Sequence, residues 1–405
     1  MKTQQQTLGL NGDEAIAYAL RQIDPDVVAA YPITPQTIIV EKYSEYVANG
    51  EVGTEFVAVE SEHSALTTCI TAEATGARAF TCTAANGLAL MWEMTYIAAS
   101  MRLPVVMAVA NRALSGPLNI HNDHSDTMGA RDSGWIQLYC ENSQEAYDTI
   151  IQAWRIGEHL KVQLPVMVCL DGFILSHTLE NVLVLPDEAV KSFVGERHFP
   201  KVLGHKGETE LRLDPVNPLT MGAMDLYDFY FEHKRQQEQA MHEAMAVIMD
   251  VGRAYRDESG RAYGLVEPYR IEDAEVALIG LGSTMGTARV AVDELRKKGV
   301  KAGSLRIRSF RPFPAEEIVR TLSHVGSFGV LDKAMSFGAS GGPLFNEVRS
   351  SFYGAEKRPL ISGFVYGLGG RDITVDMLEA AFSMVLQSRE TGRVKTLVNY
   401  LGLRE

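Results

Sequence analysis

The chain has 405 residues, 46% hydrophobic and 22% charged, an ordinary globular composition with length enough for two or three domains. Its formal net charge of −13, with no long Lys/Arg run, lacks the basic footprint of a nucleic-acid binder and argues for a soluble protein. No apolar stretch approaches the length of a membrane span, and the opening Met1-Lys2-Thr3-Gln4-Gln5-Gln6 lacks the apolar core of a signal peptide. The expectation is a cytoplasmic protein that contacts neither nucleic acid nor membrane.

A helix over 13–23 leads into the apolar run Val27-Val28-Ala29-Ala30, which reads as a short buried strand. The turn Tyr31-Pro32-Ile33-Thr34-Pro35 follows at once. Two prolines fix its backbone, and Pro35 suits the first position of the next helix. Thr34 is held between them with its hydroxyl and amide at the helix entrance, the place where open α/β sheets bind ligands and where a helix N-terminus favours an anion. The alternative is a rigid loop that happens to carry a threonine.

A strand over 55–59 comes next, ending in Glu60-Ser61-Glu62-His63-Ser64-Ala65 and a helix to about Thr75. Glu62 reads either as a dipole-compatible residue of the first helical turn or, paired with the Thr34 turn on a neighbouring strand, as part of a site at one sheet edge. Strands over 78–83, 105–109 and 166–170, with helices between most of them, give the signature of a doubly wound, mostly parallel sheet. Ala84-Ala85-Asn86-Gly87, Asn111-Arg112 and Asp171-Gly172 follow these strands, so one edge gathers the unusual chemistry. Arg112 has no obvious acidic neighbour in sequence. It suits either an anionic ligand or an ion pair with a distant acid.

From about Leu183 to Pro218 the pattern weakens, with prolines at 186, 200, 215 and 218, and reads as an extended connector. Residues 225–255 are strongly helical, with Met241, Met245 and Met249 in a packing stripe. A second α/β unit begins near Ala274, with strands over 275–279, 302–307 and 327–331 and a last helix from Val375. Gly280-x-Gly282-x-x-x-Gly286 is one residue too long for the dinucleotide fingerprint and no acid ends the next strand, so it reads as a tight strand-to-helix turn. His121-Asn122-Asp123-His124-Ser125-Asp126 lacks the spacing of a preformed zinc site, and no metal is assigned to this chain. Cys69, Cys82, Cys140 and Cys169 form no C-x-x-C pair and read as small buried hydrophobes in a reducing compartment, not cluster ligands.

The segments 31–37, 59–65, 86–91, 111–113, 123–126 and 171–173, continued by Gly282-Ser283-Thr284, 308–314 and Ser336-Phe337-Gly338, strongly resemble one family in order and spacing: the alpha subunits of multi-subunit 2-oxoacid:ferredoxin oxidoreductases, most closely those acting on pyruvate. The resemblance covers nearly the whole chain. It implies a thiamine-diphosphate pyrimidine-binding domain with connector and long helix over 1–255, and a smaller α/β domain of transketolase C-terminal type over 256–405.

By that resemblance Glu62 bonds the pyrimidine N1′, Asn86 and Gly87 line the cofactor, Thr34 and Arg112 hold the substrate carboxylate, and Asp123 and His124 lie on an active-site loop. A carboxylate at N1′ suits the chemistry, because it favours the tautomer whose N4′ removes the thiazolium proton. The implied activity is oxidative decarboxylation of pyruvate with CoA to acetyl-CoA, CO2 and reduced ferredoxin, or the reverse. Alternatives are the same chemistry on a branched-chain 2-oxo acid, 2-oxoglutarate or oxalate, and a non-catalytic interaction subunit. Family members often read Ser-Gln-Gly where this chain has Ala85-Asn86-Gly87. The chain also has no cluster cysteines and no evident Gly-Asp-Gly…Asn motif. The resemblance therefore implies a beta-type subunit that binds the diphosphate and Mg2+, gamma- and delta-type subunits, the latter ferredoxin-like and carrying [4Fe-4S] clusters, and ferredoxin as electron acceptor.

Overall fold

A computed structural model describes residues 4–404. Residues 1–3, part of the opening segment discussed above, lie outside the described residues. Two parallel-rich sheets carry the fold. The first has seven strands in the order Ser309–Arg311, Ile136–Tyr139, Val166–Asp171, Val106–Asn111, Ala79–Thr83, Val27–Ala30 and Glu55–Ala58, parallel except at the Ser309–Arg311 edge. The second has six, in the order Val266–Tyr269, Ala302–Ile307, Val276–Gly280, Ser327–Asp332, Leu360–Val365 and Val398–Tyr400, antiparallel only at Val266–Tyr269.

The central strands are buried on both faces, as parallel strands are when both sides are covered. Val106, Ala108 and Ala110 join a core with the helices Gly12–Ile23 and Ser143–Gly157, while Met107 and Val109 face the opposite core. That opposite core also contains Ile279, Leu305, Ile307 and Val330 of the second sheet, so the two sheets share one apolar interior. The helix ends follow local chemistry. Asn11 and Glu14 form a reciprocal capping box, and Ser61 caps Glu62–Thr75, which stops at Gly76 in the left-handed region.

Three expectations are corrected. The helix after the Thr34 turn starts at Thr37, not at Pro35, because Gln36 N–H donates to Ile33 O at 2.9 Å and closes a turn around the proline. The connector is not simply extended. It holds the helix Asp187–Val194, which buries Val190 and Phe193, and the hairpin of Lys201–Gly204 with Gly207–Glu210. The long helix runs Tyr230–Ser259, later than 225–255 at both ends, because Gly260 at φ +78° supplies the left-handed stop. Its methionines pack against the first core, as the stripe predicts. All four cysteines are free and buried.

Candidate functional site

The carboxyl ends of neighbouring strands set the site. Val27–Ala30 delivers the Thr34 turn, and Gln36 pins that turn: its Nε2 donates to Tyr31 O at 2.8 Å and to Cys82 O at 3.4 Å on the adjacent strand. Gly172 leaves room for the turn to close, since a Cβ there would stand 2.8 Å from Pro35 Cγ and strike the Asn111 carbonyl. Thr34 is exposed, and its carbonyl accepts from Arg112 Nη1 at 2.9 Å.

Arg112 is 8% exposed, and its Nε donates to Asn119 O at 3.1 Å. Both guanidinium bonds go to backbone carbonyls, and no carboxylate forms an ion pair with it among the described residues. Of the two readings of Arg112, the distant ion pair is therefore not the one realised. A nearly buried guanidinium without a counter-charge is suited to an anion.

Glu62, the first residue of its helix, is 7% exposed, and no hydrogen bond or ion pair reaches its carboxylate among the described residues. Gly87 lies against it: a Cβ there would stand 2.7 Å from Glu62 Oε1 and strike the Thr83 hydroxyl. Asn86 is exposed, and its Oδ1 accepts from Ser115 N–H at 3.1 Å.

Asp126 joins these pieces. Its Oδ2 accepts the Ala85 amide at 3.0 Å and the Arg112 amide at 2.9 Å, while Oδ1 accepts Asn111 Nδ2 at 2.8 Å. The helix Ala85–Leu90, which holds Asn86 and Gly87, and the Arg112 turn thus hang from one carboxylate. Burial pushes its carboxyl up to about 6, against the lowering effect of the Arg112 amide and the Asn111 side chain. Asp123 accepts Ser125 Oγ at 2.6 Å and the Gly369 amide at 3.2 Å.

His124 turns away to Asp171, with Nε2 at 2.7 Å from Oδ1, both buried. Asp171 also accepts the Ser283 amide at 3.2 Å, its hydroxyl, and Lys333 Nζ at 3.3 Å. Burial works to raise the Asp171 carboxyl, but Lys333 and His124 overcome it and hold it far below the usual carboxylate range. The Gly280–Gly286 turn therefore receives an internal carboxylate: Gly282, at φ +64°, leaves Asp171 Oδ1 3.0 Å from where its Cβ would be. The structure brings Thr34, Glu62, Gly87 and Arg112 to one sheet edge and gives His124 to the junction between the sheets. Sequence reasoning assigned no role to Asp126, Asp171 or Lys333. The position of Asp171 at a strand's carboxyl end was a usable signal; Lys333 meets it from 162 residues away, with no local mark.

Comparison with known proteins adds to this geometry. Residues 18–253 match the family described as "Pyruvate flavodoxin/ferredoxin oxidoreductase, thiamine diP-bdg", and 274–378 match "Pyruvate:ferredoxin oxidoreductase core domain II". The chain is 53% identical to pyruvate synthase subunit PorA of Thermotoga maritima, covering 98% of each. It is 46% identical to the protein of that name from Methanocaldococcus jannaschii, covering 100% of each. Ketoisovalerate oxidoreductase subunit VorA of Pyrococcus abyssi is 42% identical, with 98% of this chain and 97% of that one covered. Among solved structures, a 2-oxoglutarate:ferredoxin oxidoreductase from Magnetococcus marinus superposes with a TM-score of 0.74 at 20% identity, over 92% of this chain and 64% of that one, a likeness of fold. A split-gene transketolase gives 0.53 at 14% identity, over 94% of this chain and 99% of that one.

Proposed function

This chain belongs to the pyruvate flavodoxin/ferredoxin oxidoreductase family, as an alpha-type subunit, and from that premise we propose how its residues serve the oxidative decarboxylation of pyruvate with CoA. One observation carries the reading: a carboxylate, Glu62, and a guanidinium, Arg112, that meet no opposite charge among the described residues stand at the carboxyl ends of strands in one sheet and are coupled through Asp126 and the start of the helix that holds Gly87.

These residues fit thiamine diphosphate. Glu62 is a free buried acceptor, and Gly87 keeps the space beside it clear. When bound, the cofactor supplies a nucleophilic carbon and a sink for the charge left by loss of CO2. Glu62 shares a proton at the pyrimidine N1′. Arg112 binds the substrate carboxylate through its remaining N–H groups, with the Thr34 hydroxyl as a neutral second donor. Asp126 and Gln36 fix the turns that carry these groups. Asn86 and the loop that carries Asp123 line the approach, while the His124 side chain braces Asp171 at the junction of the sheets.

The remaining parts of the reaction belong to partners in this reading. A beta-type subunit holds the diphosphate and Mg2+, and gamma- and delta-type subunits pass electrons through [4Fe-4S] clusters to ferredoxin in the cytoplasm. The chain divides at about residue 255 between the cofactor-gripping part and the transketolase-like part. Identity to the pyruvate synthase subunits at 53% and 46%, above the 42% to the ketoisovalerate subunit, favours pyruvate over a branched acid. Initial rates of the assembled complex with pyruvate, 3-methyl-2-oxobutanoate, 2-oxoglutarate and oxalate test this. Pyruvate is expected to lead; a faster branched acid reassigns the substrate, and turnover of none makes the chain a non-catalytic subunit.

A further inference from the structure

Thr83 ends the strand Ala79–Thr83 and is fully buried, and its hydroxyl has no hydrogen-bond partner among the described residues. A buried hydroxyl left unbonded is costly, so its presence calls for a partner. Close to it lies the Glu62 carboxylate, which makes no hydrogen bond among the described residues. One point in space, where a Cβ on residue 87 would sit, touches Thr83 Oγ1 and lies 2.7 Å from Glu62 Oε1 and 3.0 Å from Glu62 Cγ. Gly87 keeps a side chain out of that point, so the hydroxyl and the carboxylate border the same space. A buried donor and a carboxylate acceptor, neither hydrogen-bonded among the described residues, thus flank one gap.

We propose that Thr83 is a positioning residue for Glu62: in the working site its hydroxyl donates to the carboxylate oxygen turned away from the pyrimidine. This rests on the reading of Glu62 given above. The bond does two things. It fixes the carboxylate plane with one oxygen aimed at N1′. It also stabilises the ionised carboxylate, because a hydrogen bond donated to the charged form favours that form. The shared proton is thereby biased toward N1′ and away from Glu62, which is the direction the chemistry needs. A valine at position 83 keeps the packing and removes the donor, so the proton shifts toward the carboxylate.

The test uses the assembled complex with Thr83→Val, Thr83→Ser and Glu62→Gln. For Thr83→Val we expect kcat to fall about tenfold with KM for pyruvate little changed, since hydrogen bonds to charged groups carry effects of this order. The acid limb of the kcat profile moves up by about one pH unit. Independently of turnover, the near-ultraviolet circular-dichroism signal of the bound cofactor's imino tautomer, recorded without substrate, is reduced. Thr83→Ser restores all three. Two results overturn the inference while leaving Glu62 in place: an unshifted profile and unchanged dichroism in Thr83→Val, or a Thr83→Ser that behaves like Thr83→Val, which would make the methyl packing the active feature. Glu62→Gln separates the two readings. If it turns over normally with unchanged dichroism, the role of Glu62 itself falls and that of Thr83 falls with it.

Discussion

At the scale of single residues, the site is defined by charges that meet no opposite charge among the described residues. Arg112 is nearly buried, yet both of its guanidinium bonds go to neutral carbonyls, those of Thr34 and Asn119. In the proposed reading a substrate carboxylate completes it, and a charged hydrogen bond of this kind is worth about 1.5–3 kcal/mol. Arg112→Ala should therefore lower kcat/KM for pyruvate roughly 10- to 100-fold while thiamine diphosphate affinity holds. Thr34→Val keeps the carbonyl that orients Arg112 and removes only a neutral donor, so its loss should stay within about tenfold. Steady-state kinetics alongside calorimetric cofactor titration checks both. A weakened cofactor with unchanged pyruvate dependence in Arg112→Ala would remove Arg112 from substrate binding. Glu62→Gln preserves shape but cannot share a proton at N1′, and its turnover should drop roughly 10²- to 10⁴-fold with assembly intact. Size-exclusion elution of the mutant complex and its rate decide this together.

At the scale of elements, each strand end presents a turn whose backbone is shaped by close approach. Gly87 shows the constraint most sharply. Its φ is unremarkable, so the need for glycine is one of space: a Cβ would collide with Thr83 and with Glu62. Overpacking of this kind costs about 1–3 kcal/mol, and here it displaces the carboxylate proposed to meet the cofactor. Gly87→Ala should weaken thiamine diphosphate binding and turnover at least about tenfold. Gly129→Ala, where the nearest atom to a new Cβ is 4.0 Å away, should leave both unchanged. Wild-type cofactor affinity in Gly87→Ala would show that the contact yields freely. These strand ends were legible in the sequence because each pairs an apolar run with a Pro, Gly or polar punctuation. Other elements were not. Ser309–Arg311 lies between Arg308 and a terminal Arg311, and its place at the edge of the first sheet depends on distant acids: Glu145 pairs with Arg308 at 3.0 Å and Glu347 with Arg311 at 2.6 Å. Ile136–Tyr139 is interrupted by the buried Gln137, whose Nε2 donates to Thr127 O at 2.9 Å. Local pattern carries no record of such long-range compensation. The same holds within the site, where Thr34, Glu62 and Arg112 stood out by position, while Asp126 drew no role because it holds backbone amides instead of marking a motif.

At the scale of the whole molecule, buried ionisable groups join the two sheets and set how stability depends on pH. Asp171, with Lys333, His124 and Ser283, lies at the junction, its carboxyl far below the usual range. A group depressed in this way gives stability that is present above its unfolded value, near 3.9, and is lost only as pH falls below that. It contributes no slope between pH 5 and 8. Asp171→Asn should lower stability by about 3–5 kcal/mol across that range, because it strands the buried Lys333 charge. Asp332 behaves in the opposite sense. Burial pushes its carboxyl up to about 7, against the amides of Leu344 and Phe345 that it accepts at 2.8 and 3.0 Å. For a raised group the stability is fully present below the unfolded value, near 3.9, and is lost as pH rises through about 7. Glu73, raised to about 7 by burial against Arg197, and Asp126, raised to about 6, act with it. The exposed His159 and His177 are shifted down and oppose this weakly. Unfolding midpoints of the purified protein should therefore fall from pH 5 to pH 8. Asp332→Asn, which cannot ionise, should flatten that slope although it trades one accepted amide for an unfavourable contact and lowers the midpoint at pH 5. Asp171→Asn should shift the whole curve down. An unaltered slope in Asp332→Asn would mean that its carboxyl is already ionised below pH 5, with the two amides at the start of Pro343–Ser351 outweighing its burial.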